Sequence, residues 1–161
     1  TQAGDTYTDS WEYKTEASLS KTSATAAAGT ATLTIKVYRR NYRNWSVGTD
    51  GYTTDWTLFD STPTVADNVD WTSVGTVSKT STGTYVATVS YNANTSTSSS
   101  RTVTVTATAN SKSATATLTQ SQMTNASGIQ NLLKNIGGAI GTLRKTSKEN
   151  KDAALRTEVL E

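Results

Sequence analysis

The chain has no cysteine and no histidine, and only one proline, one phenylalanine and one methionine in 161 residues. Each shortage excludes something. Without cysteine there is no disulfide and no thiolate metal site. Without histidine there is no Ser-His-Asp arrangement, no ready general base near neutral pH, and none of the commonest metal ligand. Hydrophobic residues reach only 34%, and Thr plus Ser fill roughly a third of the chain. The net charge of +2 is too small to indicate nucleic acid. No run is long enough to cross a bilayer, and no secretory signal or phosphate-binding glycine loop is present. A Ser-Lys site or a carboxylate pair has no motif behind it. The expectation is a protein that is not an enzyme, with no cofactor, no metal, and neither nucleic acid nor membrane as partner.

What the chain does have is alternation. In "WEYKTEASL", residues 11–19, Trp11, Tyr13, Ala17 and Leu19 share one face of a strand. In 30–38 the inward set is Ala31, Leu33, Ile35 and Val37, and in 84–92 it is Tyr85, Ala87, Val89 and Tyr91. Two further strands, 101–109 and 113–120, turn inward Val103, Val105, Ala107 and Ala109, then Ala114, Ala116 and Leu118. "Asn110-Ser111-Lys112" supplies turn chemistry between them. Thr suits the outer positions because it is β-branched and polar at once.

Residues 38–71 differ in kind. They hold three of the four Trp, the only Phe, the only Pro, and Asp50, Asp55, Asp60, Asp67 and Asp70. The reading is a strand continuing from Tyr38, a long aromatic-rich insertion, and entry into another strand between Trp71 and Val77. After Gln120 the period becomes helical: Ile129, Leu133, Ile136, Ile140 and Leu143 recur at spacings of four and three. Ser127 is the expected N-cap, Gly137, Gly138 and Gly141 weaken the helix, and a second helical piece is expected from Lys148 to Leu160.

Several short strands with regular turn signals point to a β-sandwich. "ASLSKTSATAAAGTATLTIKV" resembles the opening of bacterial immunoglobulin-like domains. "SSSRTVTVTATANSKSATATLTQ" resembles the closing strands of the BACON-type subset, with Arg101 and Gln120 in the places of its Arg and its final Gln. Such modules occur in Bacteroidota surface proteins and in virion proteins of their crAss-like phages. The resemblance covers residues 16–120, interrupted by 38–71. The fold expected is mainly β, an Ig-like antiparallel β-sandwich over 1–120 with a C-terminal α-helical appendage over 121–161. The function it implies is structural: a bacteriophage virion component, such as a capsid decoration, head fibre or tail protein. Its helices would attach it, and its partners would be other virion proteins or further copies of itself. The alternative is a carbohydrate-binding or adhesin module on the bacterial cell surface, with host glycans as partners.

Two sets of residues are candidates for contact. On the C-terminal helix they are Ile129, Leu133, Ile136, Ile140 and Leu143. Docking is the preferred reading over membrane-surface binding through Lys134, Arg144 and Lys145. In the insertion they are Arg39, Arg40, Tyr42, Arg43, Trp45, Tyr52 and Trp56, as interface anchors, intradomain packing or a ligand grip. Trp45, Tyr52, Trp56 and Phe59 could form a sugar platform or a small core under the loop. The Asp series reads as solvated turn residues in preference to a calcium loop, whose spacing it lacks. Asn-x-Ser at Asn44, Asn94 and Asn125 matters only in a eukaryotic secretory pathway.

Overall fold

The computed structural model describes residues 4–160, excepting the side chains at 125–128, 130–132 and 157–160. Of these, residues 4–122 form one compact unit and 123–160 another.

The first unit is an antiparallel β-sandwich. One sheet is built on β1 (Tyr7–Leu19), β3 (Gly29–Trp45), β9 (Thr84–Tyr91) and β7 (Thr72–Val74), in that order. Three short strands extend it: β4 (Gly51–Tyr52) and β5 (Thr57–Leu58) on β3, and β8 (Ser78–Ser81) on β9. The other sheet runs β2 (Ser23–Ala24), β11 (Lys112–Gln120), β10 (Arg101–Ala109), β6 (Thr64–Asp67). Among the described residues only the β2–β11 pair is parallel. Strand alternation produces this arrangement directly: Leu33, Ile35, Val37, Tyr85, Val89, Tyr91, Val103, Val105, Ala107 and Leu118 all enter one core between the sheets. In the second sheet the Thr-rich strands β10 and β11 form a hairpin whose turn is Asn110–Ser111, both at positive φ. That is the turn whose twist matches its strands.

A buried polar knot closes one end. Gln120 is fully buried. Its amide nitrogen donates to the carbonyls of Ala26, Ala27 and Asn92 at 3.0–3.1 Å, and its oxygen accepts from Arg101 Nε at 2.9 Å. Arg101 Nη2 reaches Asn92 O at 2.8 Å, and its guanidinium lies 4.1 Å from the Trp71 ring centroid. Asn94, also buried, donates its side chain to the Ser99 and Ser121 carbonyls. The two residues that carry the family resemblance, Arg101 and Gln120, thus sit in a hydrogen-bonded structural role.

β3 continues from Tyr38 as expected and runs unbroken to Trp45, because β1 pairs with it from Leu19↔Leu33 to Tyr7↔Trp45. The strand expected between Trp71 and Val77 is β7, with β8 following separately. One expectation needs correction. The C-terminal unit is one helix, α1 (Asn125–Leu160), not two pieces. It begins two residues before Ser127, the expected cap, whose side chain lies outside the described ones. Glycine lowers helix propensity by about 1 kcal/mol but does not remove a hydrogen bond as proline does, so three of them leave the backbone ladder intact.

Candidate functional site

Two surfaces carry the candidate residues. The first is the far half of the β1–β3 ribbon. Beyond Lys36, β3 loses β9 as neighbour and is flanked by β5 at 38–39 and β4 at 42–43. Alternation then divides the ribbon into two faces.

On the face continuous with the core, Tyr7, Asp9, Trp11 and Tyr13 stand opposite Trp45, Arg43, Asn41 and Arg39. Arg43 binds Asp9 through two parallel bonds, Nε to Oδ1 at 2.7 Å and Nη2 to Oδ2 at 2.9 Å, and stacks 3.7 Å from the Tyr7 centroid. This fork geometry is the strong form of the carboxylate–guanidinium pair. It holds the Asp9 carboxyl below its usual range and raises Arg43. Arg39 lies between two rings, 4.0 Å from Trp11 and 4.1 Å from Phe59. Among the described residues it has no carboxylate partner.

On the opposite face, Arg40 grips Glu12 at 3.1 and 3.3 Å and stacks over Tyr52 at 3.5 Å and Trp56 at 4.3 Å. Lys14 lies 4.8 Å from the Trp56 ring and 4.7 Å from Tyr38. Tyr42 meets Tyr52 edge-on. Hydrogen bonds from Arg40, and then from the Tyr52 hydroxyl, lower the Glu12 carboxyl, and the same bond raises Tyr52. Burial, followed by the charge of Glu16, raises Tyr38.

The seven candidate residues therefore do not form one patch. Arg39, Arg43 and Trp45 lie on one face; Arg40, Tyr42, Tyr52 and Trp56 lie on the other. The proposed sugar platform divides the same way, with Trp45 and Phe59 separated from Tyr52 and Trp56. Three ring faces that a sugar would need already carry a cation: Tyr52 and Trp56 under Arg40, and Phe59 under Arg39. A shallow groove of about 520 Å³ runs along this region, lined by Trp11, Glu12, Tyr13, Tyr42, Tyr52 and Lys112. Trp11 and Lys112 entered no candidate set, because only the fold brings β1 beside the start of β11.

The insertion is held by its own polar residues. Thr53 and Thr54 clamp the buried Asn41, with Thr53 donating to its side-chain oxygen at 2.7 Å. Asp50 accepts from Trp45 N at 2.7 Å. Asp60 accepts from Gly83 N at 2.7 Å and Lys79 Nζ at 2.6 Å, which lowers its carboxyl. Asp67 accepts from the Thr72 hydroxyl. These acids act as turn fasteners, and no group of three potential metal ligands occurs among the described residues.

The second surface is the helix. Its apolar stripe is open to solvent: Ile129 is 55% exposed, Leu133 54%, Ile136 45%, Ile140 43% and Leu143 69%. The only charged residue between positions 125 and 143 is Lys134, whereas nine follow from Arg144 onward. Thr142 and Thr146 return their hydroxyls to carbonyls four residues back, Gly138 O and Thr142 O, each at 3.1 Å. No helix among the described residues is long and apolar enough to cross a membrane.

No family model, curated protein or solved structure matches the chain.

Proposed function

We propose that the protein is a non-enzymatic structural component of a bacteriophage virion, which attaches through its C-terminal helix and displays a β-sandwich. The observation that carries this reading is the open stripe from Ile129 to Leu143. Five large aliphatics at spacings of four and three stand exposed on one helix, each at 43% or more. Burying such a side chain fully contributes about 1.5–3 kcal/mol, so the stripe gains most when something covers it. The sandwich supplies the other half. Its core is complete, its outer faces are Thr-rich, and Lys14, Arg40, Arg43 and Lys79 are paired with carboxylates. Such a surface stays soluble at high local density without adhering to its neighbours. The virion setting draws on the resemblance of residues 16–120 to modules used there.

The test is incorporation. In the double variant Ile136→Asp, Ile140→Asp, occupancy in purified particles, measured by mass spectrometry, falls at least tenfold while the sandwich keeps its near-ultraviolet signal. Undiminished occupancy rejects attachment through the helix. The groove beside Trp11 (46% exposed) and Tyr52 (50% exposed) is the feature that favours the glycan-binding alternative. Binding of the intact protein on a glycan array, abolished by Trp56→Ala with incorporation unchanged, moves the reading to that alternative.

A further inference from the structure

The helix stripe has properties that specify what covers it. In heptad terms Leu133 and Ile140 occupy a positions, and Ile129, Ile136 and Leu143 occupy d positions. The spacing fits a heptad seam over two repeats, which faces another helix when the two wind together. The seam is also polar at one end only. The positions that continue it are Ser147, Asn150 and Ala154. An antiparallel neighbour with the same sequence covers the stripe only by setting Ile129 against Ile140 and Leu133 against Ile136, which leaves positions 144–160 of each helix without a neighbour. A parallel, in-register neighbour sets each apolar layer on itself and each polar layer on itself.

We infer that the occupant of the stripe is the same stripe of two further copies, so that the chain forms a parallel three-helix bundle along Ile129–Leu143. This deepens the attachment reading, on which it rests, by naming the first partner of the helix. The number three follows from side-chain shape. Ile at d with Leu at a disfavours two strands and favours three or more. The layers Ile129, Leu133 and Ile136 carry that pattern; only the last pair, Ile140 and Leu143, has the arrangement of a two-stranded coil. Of the positions flanking the seam, Gly137 and Ala139 are small and uncharged and Leu132 is apolar, which widens the apolar stripe over 132–140 beyond what a dimer covers; Gln130, Arg144 and Thr146 are the polar flanking positions. A Cβ placed on Gly137 meets nothing within the chain, leaving room there for a neighbouring backbone. Lys134, the one charge in this stretch, lies off the seam at a b position and opposes no copy of itself across it.

The test is the mass of the full chain in solution. Sedimentation equilibrium over a micromolar dilution series gives a species of three times the 17.1 kDa chain mass, which dissociates on dilution. Ile136→Asp converts it to the single chain, with Trp fluorescence unchanged because all four Trp lie in the sandwich. A second variant guards against a trivial loss of structure. Leu133→Ile with Ile129→Leu and Ile136→Leu keeps every position apolar but gives Ile at a and Leu at d throughout. It shifts the species from three chain masses to two. A wild type that stays monomeric or dimeric at all concentrations overturns the inference, as does a swapped variant that remains at three. The two readings fail separately. A monomeric wild type whose Ile136→Asp, Ile140→Asp variant is lost from particles leaves attachment standing and removes the trimer. A trimeric wild type with that variant still incorporated does the reverse.

Discussion

At the scale of single residues, the surprise is how much of the polar chemistry is structural. Gln120 ends a strand and reads as an unremarkable polar residue, yet it is fully buried and joins β11, β10 and the segments at 26–27 and 92. Replacement by Leu fills the volume but leaves Arg101 Nε and the Ala27 carbonyl unpartnered. Ala26 O keeps the Asn94 N–H, and Asn92 O keeps Arg101 Nη2. Two orphaned groups at about 1–3 kcal/mol each place the cost of Gln120→Leu at roughly 2–6 kcal/mol. Urea denaturation measures it as a lower midpoint at constant slope. The inward-facing aliphatics were legible because side-chain direction alternates along a strand whatever the strand pairs with. The partners of Arg40 and Arg43 were not, because Glu12 and Asp9 are distant in sequence and only the register of β1 against β3 sets them opposite.

At the scale of elements, α1 is the part most dependent on company. It spans 36 residues, about 54 Å of helix, but carries three glycines near its middle. Isolated helices gain little from propensity alone, and glycine subtracts from that little. Gly138 lies away from the stripe, and a Cβ there meets no atom within 4 Å. Gly138→Ala therefore strengthens the helix by about 1 kcal/mol, read as a higher melting temperature of the far-ultraviolet helical signal. An unchanged or lowered melting temperature would mean that the glycine serves a contact outside the chain. The existence of this helix was legible from its 3.5-residue period. Its continuity was not, because the apolar stripe stops at Leu143 and a polar helix has no periodic mark of its own. In β3 the continuation past Tyr38 was legible but its end at Trp45 was not: the second half lacks the plain alternation of the first, and pairing with β1, β4 and β5 sets how far it extends.

At the scale of the whole molecule, the absence of histidine gives stability a wide flat region in pH. Asp9, Glu12 and Asp60 have folded-state values held below their ordinary 3.8, 4.5 and 3.8 by bonds from Arg43, Arg40 and Lys79. A depressed acid contributes stability that is present above its unfolded value and is lost as pH falls through the folded one. Lys79, raised above 10.5 by Asp60, and Tyr38 and Tyr52, raised above 10.0, act in the opposite sense: their contribution is present below the unfolded value and is lost as pH rises past it. The urea midpoint is therefore level from about pH 5 to 9 and declines on both sides. Asp9→Asn flattens part of the acid limb; a midpoint that instead changes between pH 6 and 8 contradicts this account. The sequence by itself determined the class of the fold, the faces of its strands, the helical tail, and the absence of disulfide and histidine chemistry, since all of these follow from local period and composition. Tertiary structure alone decided that the seven Arg and aromatic candidates divide between two faces and that Gln120 is a buried fastener. Both depend on pairings between distant residues, and a local pattern carries no record of its partner.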